Sequence, residues 1–124
     1  MTKTLALRIS ALMGFLAVAL GAFGAHALKE ILDRNQTAET WKTAAFYHFI
    51  HAVMLFVLAS RKIVLRGPWF CFLLGILIFS GSLYLLAVTN LKWLGAITPL
   101  GGISFLAGWV CLMISAGRSD APAP

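Results

Sequence analysis

The chain has 124 residues, of which 60% are hydrophobic and 11% charged, and its mean hydropathy is +0.90. Soluble domains carry about 25% charged residues, so the composition excludes an ordinary soluble domain and predicts one membrane domain over residues 1–124. The formal charge of +6 does not indicate nucleic-acid binding, because the basic residues lie at the ends of apolar runs and form no patch or stripe.

Four long apolar runs fill most of the chain. A membrane-spanning helix needs about 20 predominantly apolar residues, and a shorter run is accommodated by thinning of the bilayer. The sequence therefore predicts an all-α integral membrane protein, a four-transmembrane-helix bundle. The predicted spans are residues 9–28, 44–60, 68–88 and 93–116.

The first run carries small residues at a spacing of four, Ala17, Gly21 and Ala25. In lipid, small residues allow helix backbones to approach closely, so these three are predicted to face a neighbouring helix. The alternative is a cleaved signal peptide, but the apolar stretch is long for a signal core of 7–15 residues.

The segment that joins the first two runs mixes acidic and basic residues. Leu28, Ile31 and Leu32 follow helical spacing, which favours a short interfacial helix. Asn35-Gln36-Thr37 should end it.

The second and third runs carry polar groups among their apolar residues. Tyr47, His48 and His51 lie in the second run, and Tyr84 ends the third. On the third run, Gly75 is predicted to lie at a helix contact.

Thr98-Pro99 interrupts the fourth run. Either Pro99 kinks a continuous helix, or the helix starts there with Thr98 as its N-cap. Beyond it, small residues at spacings of three and four mark a predicted contact face: Gly101, Ser104 and Gly108.

Each of the four predicted helices places a polar group near the non-cytoplasmic surface of the bilayer. Ionisable groups inside a membrane are costly and raise a functional hypothesis, although His, Tyr and Thr also serve as interhelical hydrogen-bonding groups. We expect structural hydrogen bonding, a pocket for a quinone or lipid headgroup, or, least supported, a metal or haem. The candidate ligand-binding residues are His26, Tyr47, His51, Tyr84 and Thr98.

Catalytic and metal-binding patterns are absent from the sequence. The predicted spans contain no carboxylate, and no Ser/His/Asp or Cys/His constellation is readable. Cys71 and Cys111 have no C-x-x-C partner, so neither a disulfide framework nor a thiolate metal site is indicated. We predict no catalytic residue, no metal and no cofactor.

The distribution of basic residues predicts the orientation. Six basic residues lie on the side of the two termini and four on the other side, and the cluster Arg61-Lys62 with Arg66 is the best anchor. The positive-inside rule then places both termini in the cytoplasm. The Pro/Ala-rich tail, residues 119–124, is predicted to be disordered.

An ordered series of motifs resembles the YgdD-like family of small bacterial inner-membrane proteins with four spans. The resemblance extends from about Arg8 to Ala116. It implies an inner-membrane location but no activity, because the family is one of unknown function. His48 is not part of the family pattern. The matching motifs are Gly21-Ala-Phe-Gly-Ala-His26-Ala-Leu28, Tyr47-x-x-x-His51-Ala52, Phe79-Ser-Gly-Ser-Leu-Tyr84, Leu94-Gly-Ala-Ile-Thr98-Pro99-Leu-Gly-Gly102 and Phe105-Leu-Ala-Gly-Trp109.

The leading functional hypothesis is a non-enzymatic accessory or interaction subunit that acts through its helix faces. The alternative is a quinone- or lipid-binding module built on the His/Tyr/Thr cluster. Partners are the lipid bilayer and either another membrane protein or a second copy of the chain.

Overall fold

The structure, a computed structural model, describes residues 1–119. Of the predicted disordered tail, Ser119 is the last residue of the final helix, and residues 120–124 lie outside the described residues. The helices are α1 (Lys3–Ala25), α2 (Lys29–Asn35), α3 (Ala38–Ser60), α4 (Arg66–Gly75), α5 (Gly81–Thr89) and α6 (Thr98–Ser119). A π-helical turn, Ile76–Ser80, joins α4 to α5, and a 3₁₀ helix, Lys92–Ala96, precedes α6.

Four helical segments are long and apolar enough to cross a membrane. They are Lys3–Ala25, Ala38–Ser60, Arg66–Thr89 (the third span) and Lys92–Arg118. No strand occurs within residues 1–119. The predicted all-α, four-helix membrane architecture is confirmed, and so is the short helix α2 between the first two spans.

The spans pack so that α3 and the third span form the middle of the bundle. Helix α1 packs mainly on α3, and α6 packs mainly on the third span. The core between them is largely aliphatic and aromatic, with Leu55, Trp69 and Phe72 fully buried. The outer faces of α1 and α6 expose large apolar residues such as Phe15 and Leu106, as expected for surfaces that face lipid.

The turn between α2 and α3 caps the end of the third span. The Thr37 hydroxyl donates to the Ala87 carbonyl at 2.6 Å, and the Asn35 amide donates to the carbonyls of Ala87 and Val88, each at 3.1 Å. These carbonyls belong to the last turn of α5, where no helical partner remains. Gln36 adopts the left-handed conformation, with φ of 56°. This ends α2 within the segment Asn35-Gln36-Thr37, as the sequence predicted.

Helix α3 begins six residues before the apolar run that predicted it. Its first turn contains Glu39 and is polar, so a hydropathy pattern does not detect it. His51 therefore lies about 20 Å along the helix, at about 1.5 Å per residue. That position is near the middle of α3.

The break in the fourth run is a helix start. The 3₁₀ helix ends at Ala96, and α6 runs from Thr98. Proline is well tolerated at this first turn because its missing N–H has no helical acceptor there. Of the two alternatives, the structure has the helix start, but Thr98 is the first helical residue and not the predicted N-cap, because its hydroxyl pairs with Ser82 and donates to the Leu94 carbonyl.

The small residues of the third span and α6 lie in close contacts. A Cβ added at Gly75 would collide with the Phe105 ring, one at Gly101 with the Phe79 backbone, and one at Gly108 with Phe72. The Ser104 hydroxyl donates to the Cys71 carbonyl at 2.7 Å, which adds a hydrogen bond to the same interface.

On α1 the contacting residues differ from the predicted stripe. Ala17 is buried, but Gly21 has no atom near its would-be Cβ, and Ala25 is exposed. The close contact is at Gly24, under the indole of Trp41. Small residues lie on more than one face of α1, so spacing alone does not identify the packed face.

Candidate functional site

The five predicted ligand-binding residues do not converge on one pocket. His26 is exposed at the end of α1. Tyr84 pairs with His48, their hydroxyl and Nδ1 atoms 2.9 Å apart. Thr98 pairs with Ser82, their hydroxyl oxygens 2.6 Å apart. Only Tyr47 and His51 remain together.

His51 is held by a hydrogen bond on each ring nitrogen. Its Nδ1 lies 2.7 Å from the Tyr47 carbonyl oxygen, and the Trp109 indole N–H donates to its Nε2 at 3.2 Å. A carbonyl only accepts and an indole N–H only donates, so this network assigns the proton to Nδ1. His51 is a neutral imidazole that joins α3 to α6.

Aromatic rings enclose the imidazole. Phe105 stacks on His51 with ring centroids 3.7 Å apart and planes 13° apart, and Phe72 meets it edge-on at 5.2 Å. Tyr47 and Phe105 are also near-parallel, with an interplanar angle of 20°. His51 is only 4% exposed, so its orientation is fixed by packing as well as by hydrogen bonds.

Next to this stack the surface opens into a groove of about 400 Å³ between α3, the third span and α6. We call it the aromatic groove. Its described lining contains no Lys, Arg, Asp or Glu. The lining residues are Tyr47, His51, Phe79, Pro99, Gly102, Ile103, Phe105, Leu106 and Trp109.

Two irregular backbone features shape the aromatic groove. Phe79 lies in the π-helical turn, a feature that often marks functional sites, and its ring is 4.7 Å from that of Tyr47. Gly101 allows α6 to approach the Phe79 backbone. At Gly102, which lines the groove, an added Cβ would make only an ordinary van der Waals contact, 3.9 Å from the Phe79 ring.

The polar atoms that face the groove are few. Within residues 1–119 the Tyr47 hydroxyl has no hydrogen-bond partner, and the side chain is 39% exposed. It offers one donor and one acceptor beside the ring stack. The lining therefore combines aromatic and aliphatic side chains with one hydroxyl-bearing residue, Tyr47.

A separate polar site surrounds His48 in the core. His48 is 2% exposed, and its Nε2 has no hydrogen-bond partner among the described residues. Tyr84, its partner at Nδ1, packs on Trp41 with ring centroids 4.6 Å apart. The sequence interpretation left His48 out of the candidate site, and its absence from the family pattern weakened only a metal site shared with His51.

The structure also identifies residues that the sequence interpretation omitted from the site. Phe105 and Trp109 are four residues apart, so they lie on one face of α6, and both contact His51. Both residues belong to the family motif Phe105-Leu-Ala-Gly-Trp109. That motif was the sequence feature that could have identified them. Within residues 1–119, no group of three His, Cys, Asp or Glu side chains is placed to hold a metal ion.

Comparison with known proteins identifies the family. A family model described as "Protein of unknown function (DUF423)" matches residues 20–102. The chain belongs to the DUF423 family. The resemblance to YgdD-like proteins is thereby confirmed.

Curated relatives cover nearly the whole chain. The chain is 43% identical over 115 residues to UPF0382 membrane protein YwdK of Bacillus subtilis, covering 87% of this chain and 92% of the relative. It is 39% identical over 124 residues to UPF0382 inner membrane protein YgdD of Escherichia coli K12, covering 95% and 93%. A Staphylococcus epidermidis UPF0382 membrane protein is 42% identical over 111 residues, covering 86% and 90%.

No solved structure matches the chain significantly. The family names describe membrane proteins without an assigned activity. Together with the four apolar helices, they show a membrane protein of an uncharacterised family.

Proposed function

We propose that this protein is a non-enzymatic binding module that holds a neutral, ring-bearing lipid of the quinone class in the aromatic groove. The observation that carries the proposal is the groove itself: an open space of about 400 Å³ walled largely by aromatic residues, one of which, Tyr47, carries a hydroxyl. From the sequence alone the accessory role ranked first. We place ligand binding before the accessory role because the groove is a defined site, whereas small residues on helix faces are a general property of membrane proteins.

The charge of the lining argues for a neutral headgroup. A charged phospholipid headgroup needs cationic partners, and ionised groups are costly within a membrane. The described lining of the groove offers none, and His51 is already hydrogen-bonded on both nitrogens. The ligand that fits is uncharged and enters from the lipid phase.

The ring stack argues for a planar headgroup. Aromatic rings pack on one another in offset or edge-to-face arrangements, worth about 0.5–1.5 kcal/mol per pair beyond burial. Tyr47, Phe79 and Phe105 present such faces. The Tyr47 hydroxyl is a donor suited to a ring carbonyl, and a quinone combines a planar ring, carbonyl acceptors and an apolar tail.

The test is binding of a short-chain quinone analogue to protein in lipid nanodiscs, followed by calorimetry. Gly102→Leu should fill the groove and reduce affinity more than tenfold, a loss of about 1.4 kcal/mol. The matched control is Gly14→Leu on α1, where a Cβ has no atom within 4 Å; it should bind like wild type. Equal affinity in both variants and wild type, or no binding at all, contradicts the proposal.

The second candidate is the accessory or interaction subunit. It is favoured by the face of α1 that carries Gly14, Gly21 and Ala25: neither glycine has a neighbour at its Cβ position, and Ala25 is exposed. Such a face allows close approach of a helix from another membrane protein or a second copy. Site-specific cross-linking from Gly21→Cys should then capture one defined partner, and Gly14→Leu should abolish that capture; diffuse or absent cross-linking contradicts this role.

We also propose that both termini face the cytoplasm. The basic end of the bundle supports this: the Lys3 ammonium donates to the carbonyls of Ser60 and Arg61, and Arg66 donates to the Met1 carbonyl. Arginine and lysine favour the cytoplasmic side. Gln36→Cys should react with an impermeant maleimide only from outside the cell; labelling only from inside reverses the orientation.

A further inference from the structure

Two cysteines that are far apart in the sequence meet in the bundle. Cys71 lies on α4 and Cys111 on α6, and the two side chains are close enough to interact. Both are reduced and half-buried. The sequence indicated no disulfide because no local cysteine motif exists, yet helix packing supplies the neighbour.

Gly108 is what brings the pair together. A Cβ added there would lie 3.1 Å from the Cys71 Cβ, so the backbones of α4 and α6 are in close contact at this level. Cys111 follows Gly108 by three residues and therefore lies on the same face of α6. Disulfide formation needs this kind of approach, with Cα atoms about 4.4–6.8 Å apart.

The two thiols differ in their access to a groove on the surface of the bundle. Cys111 lines a second groove, of about 400 Å³, at the end of the bundle where α4 begins and α6 ends; we call it the basic groove. Cys71 does not line it. Arg66 and Arg118 contribute the positive charges of its lining, so Cys111 is the thiol that an anion in this groove would meet.

We propose that Cys71 and Cys111 form a dithiol–disulfide pair that reacts with small, carboxylate-bearing disulfides entering the basic groove. The Cys111 thiolate attacks one sulfur of the small disulfide, forms a mixed disulfide and releases one thiolate. The Cys71 thiolate then attacks the Cys111 sulfur, forming the Cys71–Cys111 bond and releasing the second thiolate. The protein loses two electrons and two protons, and the small disulfide becomes two thiols.

The two arginines of the basic groove favour an anionic disulfide as the reagent. An opposite charge at about 4 Å in water contributes about 1 kcal/mol, a factor of about five. An anionic disulfide should therefore react faster than a cationic one, which the two guanidinium groups repel. This inference does not depend on quinone binding, because the basic groove and the aromatic groove share no lining residue.

The test uses the full chain in nanodiscs, with oxidised glutathione as the anionic probe and cystamine as the cationic one. Wild type should lose both free thiols to an intramolecular disulfide, detected by intact mass after alkylation. Cys71→Ser should instead accumulate the mixed disulfide at Cys111, and Cys111→Ser should react at least tenfold more slowly. Persistence of both thiols in wild type, or faster reaction of Cys71 than of Cys111, overturns the proposal.

The charge argument has its own control. Arg118→Gln should slow the reaction with oxidised glutathione by about fivefold and accelerate that with cystamine. Arg8→Gln removes the same charge from an exposed position outside the basic groove and should leave both rates unchanged. Equal rates for the two probes in wild type, or equal effects of the two variants, contradict recognition by the groove.

Discussion

Two adjacent glycines at the start of α6 allow a sharp test of the packing. Gly101 lies against the backbone of Phe79, whose Cα would be 2.7 Å from an added Cβ, whereas at Gly102 the nearest atom is 3.9 Å away. Both positions are helical, so Gly→Ala gains about 0.8–1.0 kcal/mol of helix propensity in each case. The difference between the two variants then isolates the steric contact.

We expect Gly101→Ala to be the less stable variant. The obstructing atoms are main-chain atoms of the π-helical turn, which cannot rotate away as a side chain can. Overpacking costs about 1–3 kcal/mol, so Gly101→Ala should unfold about 4–12 °C below Gly102→Ala, at about 4 °C per kcal/mol. Thermal unfolding of both variants in the same lipid nanodiscs, followed by near-UV circular dichroism, measures the difference.

The refuting result is equally specific. If Gly101→Ala unfolds at or above the midpoint of Gly102→Ala, α6 and the third span are not in backbone contact at this level. The aromatic groove would then have a different floor. A comparison with wild type alone would not decide this, because propensity and overpacking act in opposite directions.

Two further substitutions test individual hydrogen bonds. Trp109→Phe keeps an aromatic side chain but removes the donor to His51 Nε2, and loss of the hydrogen bond should cost about 0.6 kcal/mol and no more than about 1.7 kcal/mol, the average and maximum for interhelical hydrogen bonds in membranes; unchanged thermal stability would show that the 3.2 Å contact contributes nothing. Thr37→Val removes the hydroxyl that caps the Ala87 carbonyl and should cost about 0.5–1.5 kcal/mol, whereas Thr37→Ser should retain the bond. Equal midpoints for Thr37→Val and Thr37→Ser would contradict the capping role.

The architecture was predictable because the bilayer constrains it strongly. Runs of about 20 apolar residues identify spans without any knowledge of their contacts. The start of α3 was not predictable from hydropathy, since its first turn contains Glu39 and lies outside the apolar run. In the structure His51 lies near the middle of α3 rather than in its first half.

The site was only partly predictable, because spacing does not give the rotation of a helix. Tyr47 and His51 were recognised as neighbours, but Tyr84 turns to His48 instead. The π-helical turn adds to the difficulty, since an extra residue per turn changes which faces of α4 and α5 align. On α1, small residues on several faces left the packed one undetermined, and Gly24 was missed.

The central claim is occupancy of the aromatic groove by a quinone-class lipid. The most direct measurement is photo-cross-linking of a short-chain azidoquinone to the protein in native membranes, with the modified peptides mapped by mass spectrometry. We predict modification of the segments around Tyr47 and Phe105–Trp109, competed by unlabelled quinone and lost in Gly102→Leu. Modification confined to α1, or spread over all four spans and insensitive to competition, would contradict the claim.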